Sequence, residues 1–206
     1  MVRRKLVVVL IVCWTMAVSY GLHALMLYKG KPGSVGGTPE IWPRNELLNP
    51  SPDKPQLVMF AHPMCPCTRA SLGELELLAA QAKGKFDAAI LFYQPEGKGE
   101  AWSKTASIDM ARSIPGVRVI LDKDGRLASR FGAETSGHTL VYAPNGRLIF
   151  SGGITGSRGH LGGNGGFDSV LHLISNGSIP SQPTTAKVFG CGLLDRCTNS
   201  QTAETR

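Results

Sequence analysis

The hydrophobic positions of this chain come in runs of different length and spacing, and each kind predicts a different element. The longest, Leu6 to Tyr28, is apolar apart from a few small or weakly polar residues and His23. As a helix it rises about 35 Å, enough to cross a hydrocarbon core of roughly 30 Å. Three shorter runs, Gln56 to Phe60, Ala88 to Tyr93 and Val117 to Leu121, suit buried strands. Between the first two, Leu72, Leu75, Leu78 and Ala79 recur at helical spacing while Glu74, Glu76 and Gln81 fall elsewhere. Trp102 to Ile114 reads as a further helix, stopped by Pro115-Gly116.

The second half continues the alternation. Asp122-Lys123-Asp124-Gly125 is a turn, and Arg126 to Phe131 suits a short helix. Thr139 to Tyr142 and Arg147 to Phe150 flank Pro144-Asn145-Gly146, a hairpin signal. A glycine-rich loop, Gly152 to Gly166, leads to a last helix, Phe167 to Ser175, with Asn176-Gly177 as its stop. Strands alternating with helices and a late hairpin predict a small α/β domain, without internal repeats. Lys29 to Pro39 is rich in Gly and Pro and reads as a tether; Ile41-Trp42-Pro43 either continues it or begins packing. The expected organisation is an anchor over 1–28, a flexible linker over 29–40, a domain over 41–180 and a C-terminal tail over 181–206 that carries Cys191 and Cys197.

Charge changes this picture at one end only. Of the net +7, five charges (Arg3, Arg4, Lys5, Lys29 and Lys31) lie in the first 31 residues, which hold no acid. The remainder carries 17 basic and 15 acidic residues and no basic stripe interleaved with aromatics, so nucleic acid is excluded as a partner. Arg3-Arg4-Lys5 before the apolar run predicts a cytoplasmic N-terminus, with everything after Lys29 facing the periplasm or cell exterior. The run continues through Leu22, Ala24, Leu25, Met26 and Leu27. That points to an uncleaved signal-anchor rather than a signal peptide cut near Ala17-Val18-Ser19. Both readings export the domain.

In an exported chain, five cysteines ordinarily suggest disulfides. Cys13 lies inside the apolar run and reads as a small hydrophobe. Cys65-Pro66-Cys67 falls where a buried strand hands over to an amphipathic helix. A thiol there faces unsatisfied N–H groups and the positive end of the helix dipole, which favour the attacking thiolate. Pro66 suits a first helical turn, and Arg69 adds positive charge. Residues i and i+2 of a helix point to different faces, so a Cys65–Cys67 bridge requires Cys65 to sit just outside the helix. Cys191 is a second candidate resolving partner, because the ~14 residues after Gly177 reach roughly 46 Å when extended. A structural Cys191–Cys197 bridge is the alternative.

The stretch Phe60-Ala61-His62-Pro63-Met64-Cys65-Pro66-Cys67-Thr68 resembles the active site of the thioredoxin superfamily, where a Cys-x-x-Cys pair follows the first strand. On that pattern Cys65 is the attacking cysteine, Thr68 stands at the usual resolving position and Cys67 is an extra thiol. The later stretches Val119-Ile120-Leu121-Asp122, Phe131-Gly132 and Gly137-His138-Thr139-Leu140-Val141-Tyr142 resemble the exported, TlpA-like branch. There a cis-proline precedes the fourth strand; here His138 is read in its place. With Gly152-Gly153-Ile154-Thr155, Ser157-Arg158-Gly159-His160 and Val188-Phe189-Gly190-Cys191, residues 41 to 192 are similar to RedB-type membrane-anchored thioredoxin-like proteins. The resemblance implies a thioredoxin-like fold, a mixed sheet flanked by helices. His62 stands where peroxiredoxins carry Thr or Ser, which argues against peroxidase chemistry.

Two functions follow from these residues. In the first, Cys65 attacks a protein disulfide and Cys67 or Cys191 resolves the mixed disulfide, with His138 beside the thiol tuning its ionisation. The catalytic set is then Cys65, Cys67, Cys191 and His138, the partners are protein thiols or disulfides, and neither cofactor nor metal is called for. In the second, Cys65, Cys67 and His138 hold Cu(I) or Zn(II), with Cys191 completing the site, as in a metallochaperone. The Gly152 to Gly166 loop lacks a phosphate-loop ending and reads as a mobile surface loop, although the thioredoxin resemblance implies that this connection lies on the active-site face, where Arg158 and His160 would touch a partner.

Overall fold

The computed structural model describes residues 2–44, 47–98 and 100–194. Cys197, and with it the alternative of a Cys191–Cys197 bridge, lies outside the described residues. The chain divides into two units, Met1–Lys31 and Pro32–Arg206. The first holds one helix, α1 (Val2–Gly30), whose residues from Arg3 onward are all exposed. It is long and apolar enough to cross a membrane.

The second unit is built on strands β1 (Gln56–Ala61), β2 (Asp87–Gln94), β3 (Val117–Lys123), β4 (His138–Tyr142), β5 (Leu148–Gly152) and β6 (Thr184–Thr185). They form one sheet in the order β3-β2-β1-β4-β5-β6. β1, β2 and β3 run parallel, and β4 is antiparallel to both β1 and β5. The central β1 is buried along its whole length, which explains the apolar run Leu57 to Ala61 after Gln56. Because strand side chains alternate, Leu57, Met59 and Ala61 face one side and Val58 and Phe60 the other. The first face packs on α2 (Thr68–Gln81), α3 (Ala106–Ser113) and α5 (Gly165–Asn176). The second packs on α4 (Arg126–Phe131), together with Tyr142, Trp42 and Leu48. Leu72, Leu75 and Leu78 seat α2; each is fully buried, and removing one side chain to Ala costs about 2–5 kcal/mol.

Two helices begin elsewhere than the apolar spacing predicts, because polar caps decide the start. Thr105 is extended and accepts from the Ile108 N–H, so α3 begins at Ala106 rather than Trp102. Asn164 caps α5 through the Phe167 N–H at 2.8 Å, so the helix begins at Gly165, two residues before the first apolar position. The Gly177 C-cap lies at φ 63°, as a helix-ending glycine should.

The larger differences lie in the segments read as linker and tail. From Gly33 onward the supposed tether lies along the domain. Gly33 N–H donates to Val188 O (2.8 Å), Gly36 N–H to Gly132 O (3.0 Å), Leu148 N–H to Glu40 O (2.7 Å) and Trp42 N–H to Gly146 O (2.8 Å). Trp42 then packs edge-on against Phe131 and Tyr142. Its glycines serve close approach instead of mobility: a Cβ on Gly36 would stand 2.7 Å from the Gly132 carbonyl oxygen. As far as residue 194, the tail is likewise part of the domain. After β6, residues 186–194 cross the sheet end as a strap, held by Ser136 N–H to Cys191 O (2.9 Å) and Leu193 N–H to Glu134 O (2.8 Å).

Candidate thiol site

β1 ends at Ala61, and a turn over residues 62–67 hands the chain to α2. The Cys65 N–H donates to His62 O and the Thr68 N–H to Cys65 O, so the first thiol sits just outside the helix. Pro66 lies in this turn, not in the first helical turn, and Cys67 is the N-cap of α2 without a side-chain capping bond. Two hydroxyls lock the junction. Ser136 Oγ accepts from the His62 N–H (2.9 Å) and hydrogen-bonds Thr68 Oγ1 (2.9 Å), while Thr68 Oγ1 donates to His62 O. The position read as a resolving cysteine is therefore a buried strut.

Ser136 and Gly137 precede β4 and face the start of α2. Gly137 has φ 90°, and a Cβ there would meet Ser71 Oγ at 2.8 Å. The Gly137 N–H donates to Phe60 O. The strap lies on the same turn: a Cβ on Gly190 would run into the Ser136 carbonyl. This packing sets Cys191 against Cys65, with their Sγ atoms 2.8 Å apart. Parallel β1 and β2, antiparallel β4 and β5, and a thiol turn between β1 and α2 facing the turn before β4 decide the architecture. The fold is thioredoxin-like.

No protein-family profile and no curated protein matches the chain by sequence. Solved structures do. An uncharacterised conserved protein of Geobacillus kaustophilus matches with TM-score 0.53 and 14% identity, over 80% of this chain and 92% of that one. A hypothetical protein of Sinorhizobium meliloti matches with TM-score 0.54 and 15% identity, over 80% and 96%. A secreted disulfide oxidoreductase of Mycobacterium tuberculosis matches over 60% and 82%, with TM-score 0.42 and 14% identity. For the first two, at these identities, the likeness is one of fold.

Within this thioredoxin-like site three thiols converge. The Sγ atoms of Cys65, Cys67 and Cys191 all lie within 4.8 Å of one another. Cys65 is 3% exposed, while Cys67 and Cys191 are half-buried. Burial pushes the Cys65 thiol up, but hydrogen bonds from the Cys191 thiol and from the backbone N–H groups of Cys191, Cys67 and Thr68 outweigh it. Its pKa ends below the ordinary value. Cys191 is pushed the other way, to about 12, by burial and then by its bond to Cys65 and the Cys65 charge. Cys67 is raised by burial and by Cys65. Of the three, Cys65 is thus the thiol that gives up its proton most readily, and the other two hold theirs more firmly.

Arg158 supplies the positive charge, where the sequence pointed to Arg69, which is exposed on α2. Its guanidinium donates to Gly190 O, next to Cys191, and its charge partly offsets the rise in the pKa of Cys67 and Cys191. As one basic residue in a glycine-rich loop, it carried only a weak signal of this role.

His138 is not brought to the thiols. Its place is the first residue of β4, opposite Phe60, one position beyond the Ser136-Gly137 turn that faces α2. The strand's alternation turns its ring to the α4 face of the sheet, away from α2. There it is 0% exposed, its Nε2 lies 3.0 Å from Ser151 Oγ, and burial lowers its pKa to about 4. The His138 ligand atoms do not belong to the cluster that the three cysteines form. His62 packs against Tyr93 and Trp102 and accepts from the Met64 N–H through Nδ1, the structural role its position suggests.

Proposed function

We propose that this protein is a thiol–disulfide oxidoreductase whose working pair is Cys65 and Cys191, held outside the cytoplasm by α1. The observation that carries the reading is the 2.8 Å approach of Cys191 Sγ to the one thiol whose pKa is depressed. The Cys65 thiolate attacks a client disulfide, forms a mixed disulfide and expels one client sulfur as a thiolate. Cys191 then attacks Cys65 Sγ, expels the second client sulfur and closes a Cys65–Cys191 disulfide. The client has gained the two electrons that the pair has lost.

The ionisation pattern supports this sequence of steps. While Cys65 is an anion, its charge and hydrogen bond keep the Cys191 proton in place. Once Cys65 is bonded to client sulfur that anion is gone, and the Arg158 charge still favours the Cys191 thiolate. The second nucleophile becomes available after the first has acted. A groove of about 440 Å³ beside the turn, lined by Pro66, Arg69, Leu77, Met110 and Leu161, suits an extended client segment. The RedB-type resemblance and the apolar helix α1 favour a membrane-held form of this chemistry.

Oxidising the reduced full chain in detergent with glutathione disulfide, followed by peptide mass mapping, tests the pairing. A Cys65–Cys191 linkage with Cys67 still free is expected. A Cys65–Cys67 linkage with Cys191 free would overturn the assignment.

A further inference from the structure

The two-thiol cycle leaves Cys67 without a task. It is half-buried, its Sγ lies within 4.8 Å of both working sulfurs, and it sits at the N-cap position of α2, where it makes no capping bond. A third cysteine beside a redox pair invites wrong disulfides, so its presence needs a chemical reason. Three sulfurs converging on one point also constitute a ligand set.

We infer that the fully reduced protein binds one Cu(I) ion through Cys65, Cys67 and Cys191, and that closing the Cys65–Cys191 disulfide releases it. The site is the redox site itself, so the release half of this inference rests on the pairing proposed above; the binding half does not.

The donor set selects the ion. Thiolates are soft donors, suited to Cu(I) and Zn(II) and poorly suited to hard cations. Zn(II) takes a fourth ligand, usually from protein in a structural site. Among the described residues no His, Asp or Glu joins the three sulfurs, and His138 in particular lies on the other face of the sheet. Three-coordinate Cu(I) needs no fourth group. Metal–sulfur bonds of about 2.3 Å in a trigonal plane place the sulfurs about 4 Å apart. The present separations bracket that value, from 2.8 Å for Cys65–Cys191 to the 4.8 Å limit of the cluster. Binding requires the closest pair to open by about 1 Å, a shift available to side chains in a turn and a strap.

The surroundings compensate the charge that three thiolates carry. Backbone N–H groups of Cys67, Thr68 and Cys191 reach Cys65, the positive end of α2 begins at this point, and Arg158 bears on Cys67 and Cys191. Binding moves protons only: Cu(I) displaces the thiol protons to solvent. Release moves electrons. A client disulfide accepts two electrons and leaves as a dithiol, Cys65 and Cys191 join, and two of the three ligands are withdrawn. Cys67 alone does not retain the ion.

The test titrates reduced full chain in detergent with Cu(I) against a chromogenic Cu(I) chelator. One Cu(I) per chain and an X-ray absorption spectrum fitted by three sulfurs are expected. His138→Ala should still bind one equivalent, and the disulfide form should bind none. Cys67→Ser and Cys67→Ala should lose stoichiometric binding, while still closing the Cys65–Cys191 linkage, which separates lost metal from lost fold. Equal binding by wild type and both Cys67 variants, a requirement for His138, or preferential retention of Zn(II) would each overturn the inference. Cu(I) binding through three sulfurs in a protein that forms no Cys65–Cys191 disulfide would uphold the site and remove the redox pairing instead.

Discussion

Cys191 Sγ lies 2.8 Å from Cys65 Sγ although 126 positions separate the two residues. The strap after β6 closes that distance by filling the space over the Ser136-Gly137 turn. The consequence is a division of labour that single substitutions resolve. Cys191→Ser should let Cys65 form mixed disulfides that accumulate, because the attacking thiol remains and the resolving one is gone. Cys65→Ser should form none. Trapping with a client-derived disulfide and non-reducing electrophoresis reads both; accumulation with Cys67→Ser instead of Cys191→Ser would identify the wrong resolving thiol.

The depressed pKa of Cys65 has a direction in pH. Its alkylation should have its midpoint below the ordinary thiol range and slow as pH falls through that lowered value. Cys191→Ala removes a hydrogen-bond donor to the thiolate, so the midpoint should move up, each unit corresponding to about 1.36 kcal/mol. Rate profiles with iodoacetamide in a Cys67→Ser background measure it. An unmoved midpoint would mean that the backbone N–H groups alone set the ionisation.

Arg158 acts on the second step more than the first, because its charge bears on Cys67 and Cys191. Arg158→Met should slow resolution of the mixed disulfide, by up to about tenfold for each pKa unit lost, with a smaller change in Cys65 alkylation. Arg158→Lys should restore part of the rate through charge without the same hold on Gly190 O. Stopped-flow separation of the two steps checks this; equal slowing of both would make Arg158 a general prop of the strap.

His138 predicts acid sensitivity of the fold and not of the chemistry. Its pKa falls from 6.5 to about 4 through burial. Between those values the unfolded chain takes up a proton that the folded protein does not, so stability declines as pH drops from 6.5 towards 4 and is unaffected above 6.5. The total is about 3 kcal/mol. His138→Gln should abolish this contribution to the pH dependence while leaving the Cys65 alkylation profile in place. Urea unfolding at pH 7 and pH 4.5, wild type against variant, reads the difference.

Arg3-Arg4-Lys5 ahead of α1 predicts orientation. Protease added to intact spheroplasts should digest residues beyond Lys31, while the protein resists extraction by high salt. A protected domain would place the thiols in the reducing cytoplasm and remove the disulfide context.

Much of this protein was legible in its sequence, where the signal is local. The apolar run of β1, the Leu72, Leu75 and Leu78 stripe of α2, the hairpin at Pro144-Asn145-Gly146 and the thiol turn between strand and helix each follow from neighbours a few residues apart. Hydrophobic period and turn chemistry are properties of short segments, so they survive translation into structure with boundaries shifted by a few residues, as where Thr105 and Asn164 cap their helices and where β3 runs on through Asp122-Lys123. Glycine content misled at residues 33–40, because glycine permits close approach as readily as it permits motion, and composition does not distinguish the two.

Tertiary structure alone decided which thiols and charges meet. Placing His138 rather than Gly137 at the critical turn was an error of one position, and on a strand one position reverses the face, sending the ring to Ser151 instead of Cys65. The encounters of Cys191 with Cys65 and of Arg158 with the strap depend on long connections whose paths carry no periodic signal. Their ends are fixed by contacts such as Gly190 on the Ser136 carbonyl, made between residues far apart in sequence. Local patterning therefore determines where a reactive thiol stands at the end of β1, whereas long-range packing determines what stands beside it.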